Sequence, residues 1–159
     1  GSFKHVVDNG REVRKLAYEC VGTLIDGIGR NRSVLDYVGD HRSLVAKLAL
    51  GLGAPEADLD IINSVRAMII KLAKSPAGQA AVMANIDVIA TSLKKTATTG
   101  PKDGQDKEKV VEGQRHAIVC ALKLEPVPGI TQVAKFQELM TSARASSHFA
   151  VANRQASAE

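Results

Sequence analysis

The sequence contains little aromatic material and no tryptophan. Aromatic side chains make up 3% of its 159 residues, whereas 45% of the residues are hydrophobic. A core built from Ala, Leu, Ile and Val suits closely packed helices better than a β-sheet, whose strands are enriched in β-branched and aromatic residues. A chain of this length buries roughly 70% of its unfolded surface on folding, so it needs neither a metal ion nor a disulfide. The composition predicts one all-α domain over residues 1–159.

Cysteine is also scarce, and no long apolar run is present. The two cysteines, Cys20 and Cys120, both fall on apolar helix faces, which predicts buried free thiols and a reducing compartment. A membrane-spanning helix would need about 18 or more consecutive apolar residues, and the sequence has no such run and no secretory leader at its start. We therefore expect a soluble protein of the cytoplasm and nucleus that makes no membrane contact.

The residue types that carry chemistry are scattered along the sequence. The four histidines lie far apart and form no metal-ligand motif with cysteine or glutamate. The Gly-x-Gly at Gly51 and Gly53 follows a predicted helix rather than a strand and has no third glycine, which argues against a dinucleotide site. No acid, base and electrophile stand in a recognisable order. We predict a non-enzymatic protein without a cofactor or a metal ion.

The charge balance is mildly basic, with 21 Lys and Arg against 17 Asp and Glu and a net charge of +4. The basic residues are spread along the chain and form no run of five or more, as a nucleic-acid tail would. Nucleic acid is therefore not the favoured partner. A basic helical module that binds nucleic acid or a transcription factor stays open as an alternative.

Apolar residues recur at helical spacing in six to seven segments. The first helix is predicted from Arg11 to about Gly27, with capping-box spacing between Asn9 and Glu12. Its predicted inward stripe comprises Val13, Leu16, Ala17, Cys20, Val21, Leu24, Ile25 and Ile28. The further segments are 33–52, 58–73, 75–95, 107–124, 130–145 and 147–154, with Asp58 or Asp60 and then Ser75 as predicted helix starts. Residues 96–106 have no apolar periodicity and are predicted to form a flexible loop.

The first helix has the order of parts found in the second helix of a HEAT repeat. Asp8 stands at a turn, Val13 and Arg14 follow it, and the small residue Ala17 permits close helix packing. This pattern predicts a HEAT-type α-α superhelix fragment of six to seven helices. On this interpretation the first helix of the pair lies before Gly1, and the sequence is the end of a longer solenoid.

The opening stretch, FKHVVDNGREVRKLAYECVGTLID, also resembles a known family. It is similar to the start of the C-terminal domain of the cullin-associated, neddylation-dissociated proteins, also called TATA-binding-protein-interacting proteins. The matching positions are Phe3, Lys4, His5, Val7, Asp8, Gly10, Arg14, Lys15, Ala17, Glu19, Cys20, Thr23, Leu24 and Asp26. Farther along, the likeness is looser and consists of the order of loops and helices.

The resemblance implies a binding role in the ubiquitin pathway. Its expected partner is the N-terminal helical repeat of a cullin, where the domain obstructs docking of the adaptor and substrate receptor and so allows receptor exchange. The expected contact residues are Phe3, Lys4, His5, Arg11 and Arg14. Two structural alternatives stay open, since Phe3 would also cover the first helix and Arg14 would also serve as a ladder between repeats. A generic HEAT scaffold is a further alternative.

Overall fold

The regular structure of this protein is helical throughout the part of the chain that can be described. The computed structural model describes residues 10–28, 40–53 and 58–158, and no strand occurs in these ranges. Its α-helices are α1 (Arg11–Ile28), α2 (His41–Leu50), α3 (Leu59–Leu72), α4 (Pro76–Ala84), α5 (Ile86–Thr98), α6 (Lys107–Leu124), α7 (Ala134–Ala145) and α8 (Phe149–Ala158). A 3-10 turn, Ile130–Gln132, precedes α7. The predicted all-α class is confirmed.

The helices form two layers, and successive helices alternate between them except at α4 and α5, which share a layer. One layer is the row α1, α3, α6 and α8, in which each helix packs against the next. The other layer contains α2 against α4 and α5 against α7. The layers meet chiefly where α5 packs on α6. This alternation is the arrangement of a HEAT-type α-α superhelix, as the sequence predicted.

The core between the layers is aliphatic, with Phe136 as its one fully buried aromatic side chain among the described residues. Alanines on facing helices, including Ala90, Ala117 and Ala143, are completely buried. Their small side chains let the helix axes approach closely, while each fully buried Leu or Ile contributes about 1.5–3 kcal/mol. A composition poor in aromatics therefore suffices for this fold.

Local capping explains where the helices begin. Asp58 accepts hydrogen bonds from the first backbone N–H groups of α3. The Ser75 hydroxyl accepts one from the N–H of Gly78 at 3.1 Å, and Pro76 occupies the first position of α4. Asp106 caps α6 in the same way. The predicted helix starts at Asp58 and Ser75 are confirmed, because a cap depends on side chains within one turn of sequence.

The segment predicted as one helix from Ser75 is interrupted at Asn85. The backbone of Asn85 leaves helical geometry at φ −119° and ψ 10°, and its Nδ2 donates to the carbonyls of Ala81 at 2.9 Å and of Arg42 in α2 at 3.2 Å. The side chain thus satisfies a carbonyl near the end of α4 and ties that end to α2. The interruption gives eight α-helices in the described ranges instead of the six to seven predicted.

The remaining boundaries differ from the predictions by a few residues. Residues 96–98 belong to the last turn of α5, so only the later part of the predicted loop lies outside a helix. The last helix continues to Ala158 rather than ending near Arg154. Of the segment 33–52, residues 33–39 lie outside the described residues. None of the helices described is long and apolar enough to cross a membrane.

Candidate protein-binding surface on helix α1

Helix α1 packs on α3 through one narrow face. That face contains Tyr18, Val21, Gly22 and Ile25, which follow the i, i+3, i+4, i+7 spacing of a single helix side. Tyr18 and Val21 pack against the core, and Ile25 is only 7% exposed. Gly22 faces Met68 of α3, whose sulfur a Cβ at position 22 would meet at 3.7 Å, an ordinary contact distance. These contacts fix the rotation of α1 about its axis.

A second apolar face of α1 is exposed to solvent. Val13, Leu16 and Leu24 are 69%, 60% and 53% exposed, and Ala17 and Cys20 are exposed beside them. We call these five residues the α1 stripe. They share one side of the helix because they stand three, four, seven and eleven positions apart, and that side is turned about a third of a turn from the face on α3.

The exposed stripe overturns two predictions. Helical periodicity predicted that all five stripe residues are buried together with Val21 and Ile25. It also predicted that the Cys20 thiol is buried. Both placements are wrong, whereas the predicted burial of Cys120 is confirmed. Periodicity alone does not determine which of two neighbouring apolar arcs is buried. In this helix the buried face is determined by Tyr18 and Gly22, which contact residues outside α1.

The border of the stripe is acidic on one side. Glu12 and Glu19 are both exposed there, together with Thr23. The Thr23 hydroxyl donates a hydrogen bond to the backbone carbonyl of Glu19 at 2.9 Å, so this bond does not involve the Glu19 carboxylate. The surface therefore combines an aliphatic centre with a negative margin, and it complements an apolar helix that carries basic residues along one edge.

Arg11 and Arg14, two of the predicted contact residues, continue the face of α1 that packs on α3, because they stand seven and four positions before Tyr18. The Arg11 guanidinium binds the Asp58 carboxylate, donates to Glu12 at 2.6 Å and reaches Asp60 at 3.5 Å. It thereby joins the start of α1 to the start of α3. Arg14 is half-buried. Partner contact through either arginine stays a prediction.

The Arg11–Asp58 pair perturbs both side chains. Partial burial acts to raise the pKa of Asp58, but the hydrogen bond from Arg11 and those from backbone N–H groups of α3 outweigh it and lower that pKa below its usual value. The hydrogen bond and the charge of Asp58 in turn raise the pKa of Arg11. Both groups are held in their charged forms at neutral pH.

Phe3, Lys4 and His5, the other three predicted contact residues, lie outside the described residues. Within the described ranges, no group of three or more His, Cys, Asp or Glu side chains is placed to hold a metal ion. Sequence reasoning missed two buried polar residues, Gln114 in α6 and the charged Arg66 in α3. The burial of Arg66 could have been predicted, because position 66 stands four residues after Ile62 and three before Ile69, inside the apolar arc of that helix.

Comparison with known proteins identifies the family of this chain. The profile of the TIP120 family, described as TATA-binding protein interacting (TIP20), matches residues 1–144. Two curated proteins named Cullin-associated NEDD8-dissociated protein 1 are similar to this chain over 143 residues, at 34% identity in Arabidopsis thaliana and 29% in Dictyostelium discoideum. The alignments cover 88% of this chain but 11% of each relative's length. No solved structure matches the chain. Because the profile covers residues 1–144 of 159, the chain belongs to the TIP120 family.

Proposed function

We propose that this domain is a non-enzymatic binding module that contacts a cullin and helps to regulate the assembly of cullin–RING ubiquitin ligases. The choice of partner is supported by the names of its two relatives, which are cullin-associated proteins. Since the chain spans 11% of their length, it supplies one part of such an activity. The contact surface is supported by one structural observation, the exposed α1 stripe.

The stripe has the properties of a helix-docking surface. Its aliphatic residues stand at the spacing with which one α-helix packs into the grooves of another. Large aliphatic side chains such as Leu16 and Leu24 gain free energy when a partner removes them from water. A contiguous exposed apolar surface on a folded domain marks an interaction site more often than isolated exposed residues do. The proposed occupant is an α-helical repeat of the cullin that carries a basic residue opposite Glu19.

The proposed mechanism is competition for surface. A helical domain docked on the N-terminal repeat of a cullin would occupy area that the adaptor also requires, so only one of the two binds at a time. Affinity would come from a few central stripe residues surrounded by weaker polar contacts. No bond is made or broken in the partner, and exchange of receptors follows from the mass action of adaptor and domain.

The stripe is tested with a matched pair of substitutions. Immobilised cullin N-terminal region is used to capture the wild-type domain, Leu16→Glu, and Val88→Glu as a control on α5. Leu16 and Val88 are similarly exposed at 60% and 53%, so neither change should unfold the domain. We expect Leu16→Glu to weaken capture more than about tenfold and Val88→Glu to leave it unchanged. Equal capture of the two variants would reject the stripe as the cullin contact.

The competition is tested separately with wild-type domain. Captured domain is challenged with increasing concentrations of free adaptor, and the released fraction is measured at equilibrium. Competitive occlusion predicts release that rises with adaptor concentration and is reversed by added domain. Retention that does not change with adaptor removes the competition claim but leaves cullin binding in place.

A second candidate partner is the TATA-binding protein, which the description of the family names. The same exposed stripe would serve as the contact surface. Capture experiments with the same Leu16→Glu and Val88→Glu variants separate the two candidates. The TATA-binding protein would be the favoured partner if it captures the wild type and Val88→Glu but not Leu16→Glu, while the cullin captures none of them.

A further inference from the structure

Arg66 is a buried cation at the contact between α3 and α6. It is 3% exposed, and its Nη1 donates to Asn63 Oδ1 at 2.9 Å and to the backbone carbonyl of Gly113 at 3.3 Å. These two bonds come from different helices and hold the plane of the guanidinium in place. The other two nitrogens, Nε and Nη2, are buried and have no partner among the described residues of the protein.

The two unsatisfied nitrogens are the ones that form the side-on edge of a guanidinium. Nε and Nη2 present two parallel N–H groups at a spacing that matches the two oxygens of one carboxylate. Since Nη1 is occupied by Asn63 and Gly113, a ligand would be received on this edge. The arrangement therefore leaves the two-donor edge of the arginine without a hydrogen-bond partner among the described residues.

A cavity of about 160 Å³ adjoins Arg66 between α3, α6 and α8. Its polar lining is completed by Asn63, His116 and Gln155, and the Nδ1 of His116 is a further buried nitrogen without a protein partner. No lining residue is acidic. One water needs about 10–15 Å³ of such space, so the cavity has room for a carboxylate together with the methylene that carries it.

Among the described residues that line the cavity, none carries a negative charge that would neutralise Arg66. Burial raises the pKa of the Cys120 thiol to about 12, so that the thiol is neutral at neutral pH. Burial lowers the pKa of Arg66, but a guanidinium stays protonated in proteins. An unpaired buried charge is costly, and an incoming anion that pairs with it therefore gains both an ion pair and two hydrogen bonds.

Access to the site requires a small adjustment. Nε and Nη2 are themselves covered, whereas Ala67 at the rim is exposed and Gln155 is half-buried. Binding therefore requires the side chains at the rim, Gln155 among them, to change rotamer, as is common at binding sites.

We propose that Arg66 anchors a carboxylate-binding site between α3, α6 and α8, and that it takes the acidic side chain of a partner polypeptide or a small free carboxylate. The bidentate edge of Arg66 selects a planar pair of oxygens. The apolar walls, which include Ile70 and Val119, favour a carboxylate attached to a short aliphatic stem over a fully hydrated phosphate. The site shares no residue with the α1 stripe.

The primary test is an NMR titration of the Arg66 Nε–H signal. Wild-type domain is titrated with sodium acetate, with sodium phosphate and with sodium chloride at equal ionic strength. The signal is assigned by its absence in Arg66→Lys, which keeps the charge but loses the two-donor edge. We expect a saturable shift with acetate, a weaker response to phosphate and none to chloride. Tighter binding of phosphate, or no saturable response to acetate, would overturn the proposal.

Two further variants keep the test independent of folding. Ala67→Trp places a bulky group at the rim while leaving Arg66 intact, and it should weaken acetate binding about tenfold or more. Arg144→Lys is the matched control, because Arg144 is exposed and pairs with Glu125 at 2.8 Å. It should bind acetate as the wild type does. Unchanged affinity in a folded Ala67→Trp would place the acetate elsewhere and reject the site.

The two sources of carboxylate are separated with short peptides. Acetyl-Ala-Glu-Ala-amide and its glutamine analogue are titrated against the same Nε–H signal. Binding of the glutamate peptide more tightly than acetate indicates a polypeptide side chain, and binding of acetate alone indicates a small molecule. Equal binding of the glutamine analogue would show that the negative charge is not recognised and would reject the proposal.

Discussion

The hydroxyl oxygen of Tyr18 lies where a side chain on Gly51 would begin: a Cβ on Gly51 would meet that oxygen at 2.6 Å. The same Cβ would lie 2.9 Å from a methyl group of Val65, which is fully buried in α3. The backbone of Gly51, at φ −82° and ψ 1°, is accessible to any residue. Glycine is therefore required for space, and Tyr18 uses that space to hold α1 against the rest of the domain.

Replacing Gly51 should accordingly destabilise the domain. We expect Gly51→Ala to lower the free energy of unfolding by about 1–3 kcal/mol, the usual cost of forcing an extra methyl group into a packed site. Gly53→Ala is the control in the same turn, since its Cβ would come no closer than 4.0 Å to Ser92. Urea denaturation of both variants measures the difference. Equal unfolding free energies of Gly51→Ala and Gly53→Ala would show that Tyr18 and Val65 move aside without a cost in stability.

The Arg11–Asp58 pair should make stability depend on pH in the acid range. Because the folded pKa of Asp58 is lowered, the stability that its carboxylate contributes is present above the ordinary aspartate pKa of about 4. It is lost as the pH falls through the lower folded value. Asp58→Asn retains a good helix cap but loses the charge, so its deficit relative to wild type should shrink below about pH 4.

A second variant separates the cap from the charge. Asp58→Ala also removes the acceptor for the N–H groups of Asp60 and Ile61, which are 3.0 and 3.2 Å away. It should cost a further amount of about 1 kcal/mol that persists at all pH values. Urea denaturation between pH 2 and pH 7 measures both differences. An Asp58→Asn deficit that stays constant to pH 2 would contradict the lowered pKa.

The predictable part of this fold is the part that depends on neighbouring residues in sequence. Helix α6, Lys107–Leu124, was predicted at its observed bounds because apolar spacing along one helix is a local signal. The break at Asn85 was not predicted, because one of the two carbonyls that hold its side chain belongs to Arg42, 43 positions away. Long-range contacts of this kind leave no periodicity in the sequence.

The candidate site was predicted less well than the fold for the same reason. The apolar pattern of α1 was recognised, but the pattern fits two adjacent arcs equally well. The choice between them depends on the space at Gly51 and beside Met68, and neither belongs to α1. The polar cavity at Arg66 likewise forms only when α3, α6 and α8 meet.

The rotation of α1 can be checked with two substitutions that sequence periodicity treats alike. Ile25 is 7% exposed and Leu16 is 60% exposed. Ile25→Ala should lower the free energy of unfolding by about 2–5 kcal/mol, whereas Leu16→Ala should change it by no more than about 0.5 kcal/mol. Urea denaturation of the two variants decides the matter. Comparable losses of unfolding free energy would show that both side chains lie on one buried face, which would contradict the exposed α1 stripe.

The two cysteines offer a chemical probe of the same surface. Cys20 is exposed within the α1 stripe, whereas Cys120 is buried and has a pKa raised to about 12 by burial. The cysteine thiolate attacks the disulfide of the reagent and displaces its aromatic thiolate, so Cys120 is protected both by its low thiolate fraction and by its lack of access. We expect an aromatic disulfide reagent to modify one thiol per folded domain and two in denaturant, with mass spectrometry locating the first at Cys20.

Modification of Cys20 should also report occupation of the stripe. If a cullin docks on α1, bound cullin will slow the reaction at Cys20, because the thiol lies between the exposed residues Ala17 and Leu24. The Leu16→Glu variant supplies the comparison, since its Cys20 should react at the same rate with and without cullin. A Cys20 rate that cullin leaves unchanged in saturated wild-type complex would place the cullin contact elsewhere on the domain. Fast native-state modification of Cys120 would instead contradict the packing of α6 in the core.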